Sequence, residues 1–331
     1  MKNFILNVFS KSLKTSPFVW NLLSTIGKNS IRIIYYHMIT DKSHDYYFDS
    51  YISVKNFTEQ IKFLKKKYEV IPLHEAIQRV EQGESLKKCL SITFDDGFSE
   101  CYFIIAPILY DEKLPATFFL IENTIDNKDI MWRNKIQFIE NNLSDSQKYK
   151  LAEKLTNNKS LDSKQNSNSL LQISNGWAMN EKDELANMLW EESGLIPLKE
   201  WLDQTKPYLT LTQIQELLNS GFHIGSHSKS HPRCDRLDYS ELEKEIIGAT
   251  NTLNEMFNVN INLFSYPFGT RASEKDEQKI LQNSNLQCLL GIRDSFSNYN
   301  IPANWERENM ERKHNIAIVK FLMKPLVRKM S

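Results

Sequence analysis

Cysteine is scarce in this chain of 331 residues, and its few copies stand far apart. The four cysteines, Cys89, Cys101, Cys234 and Cys288, form no Cys-x-x-Cys pair, so the sequence has neither a zinc-ribbon nor a thioredoxin-type redox motif. We therefore expect them to be reduced thiols in the core.

An excess of charge and a long apolar run are also missing. The 41 basic side chains balance 41 acidic ones, which gives no reason to expect a nucleic-acid partner. The best apolar run, Cys101–Tyr110, has about half of the ~20 residues that a membrane span needs. The stretch Phe4–Phe9 is broken by Asn7 and is too short for a secretory signal. The sequence thus predicts a cytoplasmic protein without a transmembrane helix.

What is present is an alternation of strand-like and helix-like segments. Short runs rich in β-branched and aromatic residues fall at Ile31–Tyr36, Leu90–Phe94, Thr117–Ile121, Phe222–Gly225 and Leu263–Tyr266. Segments with helical periodicity lie between them, at Val54–Lys67, Ser99–Glu112, Thr212–Asn219 and Ser240–Phe257. This order predicts βα units and a parallel sheet, open or closed into a barrel.

Between residues 122 and 208, which we call the insertion, the alternation stops. Asn, Ser, Lys and Gln accumulate over Thr156–Gly176, so we predict a helical insertion with a flexible middle. It contains four tryptophans that suit either sugar-stacking walls or core positions, namely Trp132, Trp177, Trp190 and Trp201.

The two ends of the chain are basic and also contain apolar residues. Residues 1–30 hold lysines and no acid, and residues 312–331 hold lysine and arginine around an apolar run. Each end is either an amphipathic segment that lies on an anionic membrane or a helix that packs on the domain. The predicted organisation is a basic segment 1–30, a main α/β domain 31–310 that includes the insertion, and a basic tail 311–331.

The sharpest local signal is the run Thr93-Phe94-Asp95-Asp96-Gly97, with two adjacent carboxylates at the end of an apolar strand. Parallel α/β folds place catalytic groups at such strand ends. One carboxylate can then bind a metal while its neighbour faces a water. The same run also occurs in plain turns and helix caps.

A second signal follows the predicted strand at Phe222–Gly225, where His227 and His231 stand four residues apart. On a helical turn, two such imidazoles point at one ion. With one Asp they form a three-ligand set that leaves positions open for water and substrate, as in catalytic metal sites. A third segment, Ser265–Gly269, predicts either a plain β-turn or a rigid turn that aims a backbone N–H at an oxyanion.

Taken in this order, TFDDG, HSKSHP and FSYPFG resemble the motifs of the NodB-homology polysaccharide deacetylases, carbohydrate esterase family 4, over about residues 31–309. The resemblance implies a distorted (β/α) barrel of about seven parallel strands. It also implies a general base at Asp95 and a divalent ion on Asp96, His227 and His231, with an oxyanion contact from the backbone N–H of Tyr266. The implied ion is Zn²⁺, with Co²⁺ or Ni²⁺ as alternatives.

Two positions depart from the family pattern. Ser265 stands where the third motif usually begins with Arg, and the usual C-terminal Leu-x-His is not evident. The run IRIIYYHMI resembles that strand-plus-His element moved to the front, as in the circularly permuted exopolysaccharide-deacetylase branch. His37 is then the expected general acid, with His314 as the alternative. Arg307 or Arg271 is expected to replace the missing arginine, and Arg307 is favoured.

The implied reaction is hydrolysis of an N-acetyl group on an amino sugar, in a glycan or a lipid-linked saccharide of surface polysaccharide metabolism. Asp95 is expected to take the proton of the attacking water, and His37 to protonate the departing amine. Two alternatives are a metal-dependent hydrolase of a non-sugar amide and an inactive glycan-binding module. The binding module is disfavoured because it needs no base.

Overall fold

The computed structural model describes residues 31–42, 51–157, 169–292, 305–313, 317, 318 and 321. The strands in these ranges are β1 (Arg32–Tyr36), β2 (Met38–Ile39), β3 (Tyr51–Ile52), β4 (Glu69–Val70), β5 (Cys89–Phe94), β6 (Thr117–Leu120), β7 (His223–Ser226), β8 (Leu263–Ser265), β9 (Cys288–Leu290) and β10 (Glu308–Asn309). The α-helices are α1 (Val54–Lys65), α2 (Leu73–Glu81), α3 (Ala106–Asp111), α4 (Trp132–Asn142), α5 (Asp145–Asn157), α6 (Leu170–Ser174), α7 (Lys182–Glu192), α8 (Leu198–Thr205), α9 (Leu211–Asn219), α10 (Tyr239–Leu242), α11 (Ala249–Phe257) and α12 (Glu274–Gln282). A π-helical segment, Cys101–Ile105, leads into α3, and another, Glu243–Gly248, joins α10 to α11. Short 3-10 turns lie at Glu122–Asn127, Cys234–Arg236 and Pro267–Gly269.

Seven parallel strands form the main sheet in the order β10-β1-β5-β6-β7-β8-β9, and β4 pairs with the start of β5. A further contact joins the two ends of this order. Gly291, just after β9, donates its N–H to Trp305 O (3.0 Å) and accepts from the Arg307 N–H (2.8 Å). The sheet therefore curls into a distorted barrel, and the predicted NodB-type fold is confirmed.

Successive strand residues pack on opposite faces of the sheet, as their alternating side-chain direction requires. Ile34 and Phe118 belong to the largest apolar cluster, which includes residues of α1, α3 and α9. Their chain neighbours Ile33 and Phe119 belong to a separate cluster that includes residues of α2. Both faces of the strands are thus covered, which explains why these strands read as continuous apolar runs.

The insertion is helical, as predicted, and has a core of its own. Residues of α4, α5, α6, α7 and α8 surround its four tryptophans, which are only 1–5% exposed. The sugar-stacking interpretation of these tryptophans is therefore wrong, because their rings fill the core of the insertion. Within the predicted flexible stretch, residues 158–168 lie outside the described residues.

The two basic ends are described only in small part. Residues 1–30 lie outside the described residues, while Ala317, Ile318 and Phe321 of the tail are buried in the cluster that also contains residues of α1. The Arg32 guanidinium lies over the Phe321 ring, with 3.9 Å from Cζ to the ring centroid. Packing on the domain is thus observed for these three tail residues, and the domain limits remain a prediction. No helix in the described ranges has the length and apolarity to cross a membrane.

Candidate active site

Polar side chains collect at one rim of the barrel, where successive parallel strands end. His37 follows β1, and Asp95 and Asp96 follow β5. The carboxyl ends of parallel strands meet at the same rim, so side chains distant in sequence become neighbours. One cavity is lined by all seven predicted site residues: His37, Asp95, Asp96, His227, His231, Tyr266 and Arg307.

Asp96, His227 and His231 bring three ligand atoms together. The Nε2 atoms of the two histidines are 3.2 Å apart, and each lies 3.4 Å from Oδ1 of Asp96. All three side chains are buried, and that carboxylate oxygen has no hydrogen-bond partner among the described residues. A buried, unsatisfied carboxylate oxygen beside two imidazole nitrogens matches the donor set of a divalent ion such as Zn²⁺.

The protonation states of these side chains suit metal binding. Nδ1 of His227 lies 2.7 Å from Ser265 O, so a proton on Nδ1 is donated to that carbonyl and Nε2 is left as the ligand atom. Burial lowers the pKa of His231 to about 3, which keeps its imidazole neutral. Burial raises the pKa of Asp96, but its contacts with the neighbouring histidines outweigh burial and hold that pKa below its ordinary value. An ionised carboxylate at Asp96 and a neutral imidazole at His231 are forms that bind a metal.

The expectation that the two histidines share a helical turn is wrong. Residues 227–232 form an irregular loop, in which Ser228 and His231 have positive φ angles of 70° and 57°. The His231 N–H donates to Ser228 Oγ (2.9 Å) and closes the turn. The imidazoles therefore converge through two left-handed residues in a loop, and the four-residue spacing alone does not explain their approach.

Asp95 is held by Arg307, which comes from the other end of the sequence. The two guanidinium nitrogens Nη1 and Nη2 each lie 2.7 Å from one Asp95 carboxylate oxygen, and both side chains are buried. Nη2 also donates to Ser265 Oγ (2.6 Å). Burial raises the pKa of Asp95, but the charge and hydrogen bonds of Arg307, together with the nearby His227 and His37, outweigh burial and hold that pKa below its ordinary value. Asp95 is therefore an anion at neutral pH.

Of the two arginines proposed to replace the missing one, the structure brings Arg307 to Asp95. Arg271 instead pairs with Glu277 (2.8 Å) and donates to Leu289 O (3.0 Å). Ser265, at the position where an arginine was expected, contacts the guanidinium that stands in for it.

His37 has a carboxylate partner that sequence reasoning missed. Glu311 accepts from the His37 backbone N–H (2.6 Å), and its Oε2 lies 2.9 Å from Nδ1 of the imidazole. Burial lowers the pKa of His37, but the carboxylates of Glu311, Asp96 and Asp95 together outweigh burial and raise that pKa to about 10. His37 thus carries a proton at neutral pH. The alternative acid, His314, lies outside the described residues.

The cavity has a volume of about 250 Å³ and is lined by both the barrel rim and the insertion. Helix α4 and the residue before it contribute Met131, Arg133, Asn134 and Gln137. The tryptophans of the insertion are not among the lining residues. The ring of Phe268, which follows β8, packs against the His231 ring with 4.5 Å between centroids.

A family model for polysaccharide deacetylases matches residues 82–159 and 195–288, which is about half of the chain. The chain belongs to this family. The matched ranges contain Asp95, Asp96, His227 and His231, but neither His37 nor Arg307. A search of curated protein sequences found no significant match.

Solved structures with the same fold include several deacetylases. The deacetylase PplD from Streptococcus pyogenes, in complex with acetate, has a TM-score of 0.57 and 16% identity, covering 92% of this chain and 99% of its own. IcaB from Ammonifex degensii has a TM-score of 0.55 and 15% identity, and the match covers 89% of this chain and 97% of IcaB. BC0361, a polysaccharide deacetylase from Bacillus cereus, has a TM-score of 0.55 and 15% identity, and the match covers 89% of this chain and 69% of BC0361. At such identities the likeness shows the fold alone.

In this deacetylase, the predicted oxyanion contact needs a correction. The Tyr266 N–H donates to Leu290 O (2.9 Å), because the pairing of β8 with β9 continues for one more residue. It is therefore not free to meet an oxyanion. Within the described residues, no acceptor is found for the N–H of Phe268, two residues later on the same turn, where φ is 56°. Phe268 lines the cavity and is the better candidate.

Proposed function

We propose that this deacetylase removes N-acetyl groups from an amino sugar, in a glycan or a lipid-linked saccharide, in a reaction that depends on a divalent metal. The observation that carries the proposal is the composition of one cavity. It combines a buried Asp-His-His ligand set, an ionised carboxylate and a protonated imidazole. These are the groups that metal-dependent amide hydrolysis uses.

The ligand set proposed for the metal is Asp96, His227 and His231. A divalent ion held there, most simply Zn²⁺, supplies Lewis-acid polarisation of the acetamide carbonyl and lowers the pKa of water. Three protein ligands leave room for substrate and water, as catalytic sites require. Co²⁺ and Ni²⁺ are alternative ions.

Asp95 and His37 are proposed to move the protons. The Asp95 carboxylate accepts the proton of the attacking water, and Arg307 keeps it ionised and correctly oriented. The His37 imidazolium gives its proton to the departing amine, and Glu311 keeps that proton on the ring before the reaction. The Phe268 N–H is the proposed donor to the oxyanion.

We further propose that the chain is circularly permuted relative to the usual family order. In support, β1, which carries His37 at its end, lies between β10 and the Asp95 strand β5. A closed ring of βα units can be opened at another loop without moving any strand end. The strand that bears the acid can then come first in sequence and still reach the same rim.

The size of the cavity favours a small saccharide unit. Its volume of about 250 Å³ suits one sugar ring better than several, since small-molecule pockets usually measure ~300–1,000 Å³. A non-sugar amide is the competing substrate class. Acetate release from N-acetylated glucosamine oligomers and from simple N-alkyl acetamides separates the two, and hydrolysis of only the acetamides would contradict the saccharide assignment.

Metal content tests the ligand set. Replacing His227 or His231 by Ala removes one of three ligands, so each variant should remain folded and lose most of its bound metal and activity. His74→Ala is the matched control, because His74 contacts His223 and does not line the cavity. Full metal occupancy in both ligand variants would overturn the assignment.

A cytoplasmic location with peripheral contact to an anionic membrane also remains a proposal. It rests on the basic, acid-free residues 1–30. Co-sedimentation with anionic vesicles should be seen at low salt and weaken as salt screens the charges. Binding that survives removal of residues 1–28 unchanged would contradict this role.

A further inference from the structure

The loop that carries the two histidines, residues 227–232, is held in an uncommon backbone conformation. Ser228 and His231 both have positive φ angles although neither is glycine. Such residues persist only where the surroundings fix them from several sides. What fixes this loop therefore also fixes the direction of the His231 imidazole.

The insertion supplies hydrogen-bond donors to three carbonyl groups of this loop. The Glu122 and Asn123 N–H groups donate to Ser228 O (3.1 Å) and Lys229 O (3.0 Å). The indole Nε1 of Trp132, the first residue of α4, donates to His231 O (2.9 Å). Trp132 is 1% exposed, so this bond is shielded from water.

The two histidines differ in how their rings are oriented. Nδ1 of His227 is fixed by Ser265 O, the usual arrangement for a metal-bound imidazole. Nδ1 of His231 is buried and has no hydrogen-bond partner among the described residues. The direction of the His231 ring must therefore be set by its backbone and by packing against Phe268.

We propose that Trp132 is a positioning residue for the metal site. Its indole N–H holds the His231 carbonyl, and this backbone anchor takes the place of the missing hydrogen bond to the ring. The insertion is then part of the metal centre as well as a wall of the cavity. This inference rests on the proposed metal function of His231.

The test compares two buried tryptophans of the insertion. Trp132→Phe keeps an aromatic ring and removes the N–H that reaches His231. Trp177→Phe is the matched control, because Trp177 is 2% exposed, lies 6.1 Å from Trp132 between ring centroids, and its Nε1 has no described hydrogen-bond partner. We expect Zn²⁺ affinity, measured by competition with a chromogenic chelator, to fall about 10-fold in Trp132→Phe and to stay near the wild-type value in Trp177→Phe.

A second variant covers the case in which Trp132→Phe does not fold. Site-specific replacement of Trp132 by 3-benzothienylalanine keeps the ring shape and puts sulfur in place of the N–H. It should show the same loss of Zn²⁺ affinity and an altered visible spectrum with Co²⁺. Wild-type affinity in this variant, or equal losses in the two Phe variants, would overturn the positioning role. Absence of Zn²⁺ binding by the wild type would instead overturn the metal function itself.

Discussion

The Asp95 carboxylate is both the proposed general base and one half of a buried ion pair with Arg307. The pair is buried and joined by two hydrogen bonds of 2.7 Å, so neither charge can be removed without leaving the other uncompensated. Breaking a buried pair typically costs ~3–5 kcal/mol. The proposed base therefore also stabilises the fold, and the effect of a substitution at Asp95 on stability must be measured together with its effect on activity.

Asp95→Asn should lower activity by about 10²-fold or more, because an amide cannot take the proton of water. The variant should retain metal, since the three ligands are untouched, and should unfold at a lower temperature because Arg307 loses a charge partner. Asp129→Asn is the control, since it removes the carboxylate that pairs with the buried Lys135 (2.6 Å) away from the cavity. It should lose stability and keep its activity. Near-normal turnover in Asp95→Asn would exclude it as the base.

The His37–Glu311 pair predicts a specific pH dependence. Glu311→Gln removes the nearest of the carboxylates that raise the pKa of His37 to about 10, so that pKa should fall. The acid form is then lost at a lower pH, and the alkaline limb of kcat/KM should move to lower pH than in the wild type. An unmoved alkaline limb would mean that His37 is not the acid.

The same pair links stability to pH. The folded-state pKa of His37, about 10, lies above the ordinary value of 6.5. The stabilisation from the pair is therefore complete below about pH 6.5 and is lost as the pH rises toward 10. Between pH 6 and pH 10, the free energy of unfolding measured with urea should fall further for the wild type than for Glu311→Gln.

At the scale of elements, strand β7 approaches its neighbours so closely that a side chain is excluded at Gly225. A Cβ there would lie 2.3 Å from Cε1 of Phe119 and 3.2 Å from Leu263 O. The Phe119 ring is fully buried and lies under the Arg307 guanidinium, 5.5 Å from its Cζ. The base-orienting arginine thus rests on packing that depends on this glycine.

Gly225→Ala should destabilise the fold by about 1–3 kcal/mol, the usual cost of overpacking. The measurement is urea unfolding. Gly248→Ala is the matched control, because Gly248 is helical and the nearest atom to its added Cβ is 3.8 Å away. That change should be neutral or slightly stabilising. Equal effects of the two substitutions would show that close packing at β7 is not what requires glycine.

The sequence predicted most of the central strands but missed several short strands and two helices, α2 and α12. Strands such as β5 and β6 are buried on both faces and appear as apolar runs, whereas β4, β9 and β10 have only two or three residues and no readable periodicity. The carboxylate and imidazole motifs were visible because they follow β5 and β7, which the sequence analysis had recognised as strands. Glu311 was missed because its approach to His37 depends on where β10 pairs.

At the scale of the whole molecule, Phe321 of the C-terminal tail contacts β1 through Arg32. Phe321 is buried, accepts a hydrogen bond at its carbonyl from Arg32 (2.6 Å), and packs against Tyr68 with 5.5 Å between ring centroids. Arg32 also pairs with Glu308 of β10. Phe321 therefore stabilises the strand pair that brings His37 and Arg307 to the cavity.

Phe321→Ala should lower the free energy of unfolding by about 3–5 kcal/mol, as for other large buried aromatics. Tyr149→Ala is the control, because Tyr149 is a large aromatic that is 56% exposed and should have little effect. Wild-type stability in Phe321→Ala would mean that the tail contributes nothing to the fold.

The seam between β1 and β10 also has a consequence for the order of folding. Arg32 and Glu308 are 276 residues apart, His37 and Glu311 are 274 apart, and Asp95 and Arg307 are 212 apart. Contacts of such separation form late and slow the folding of a chain. During synthesis, the Asp-His-His ligand set is complete once residue 231 has emerged, whereas the partners of Asp95 and His37 arrive some 80 residues later. A nascent chain therefore contains the three proposed ligand residues before it contains the partners of the proposed base and acid, so the last strand completes the proposed catalytic set.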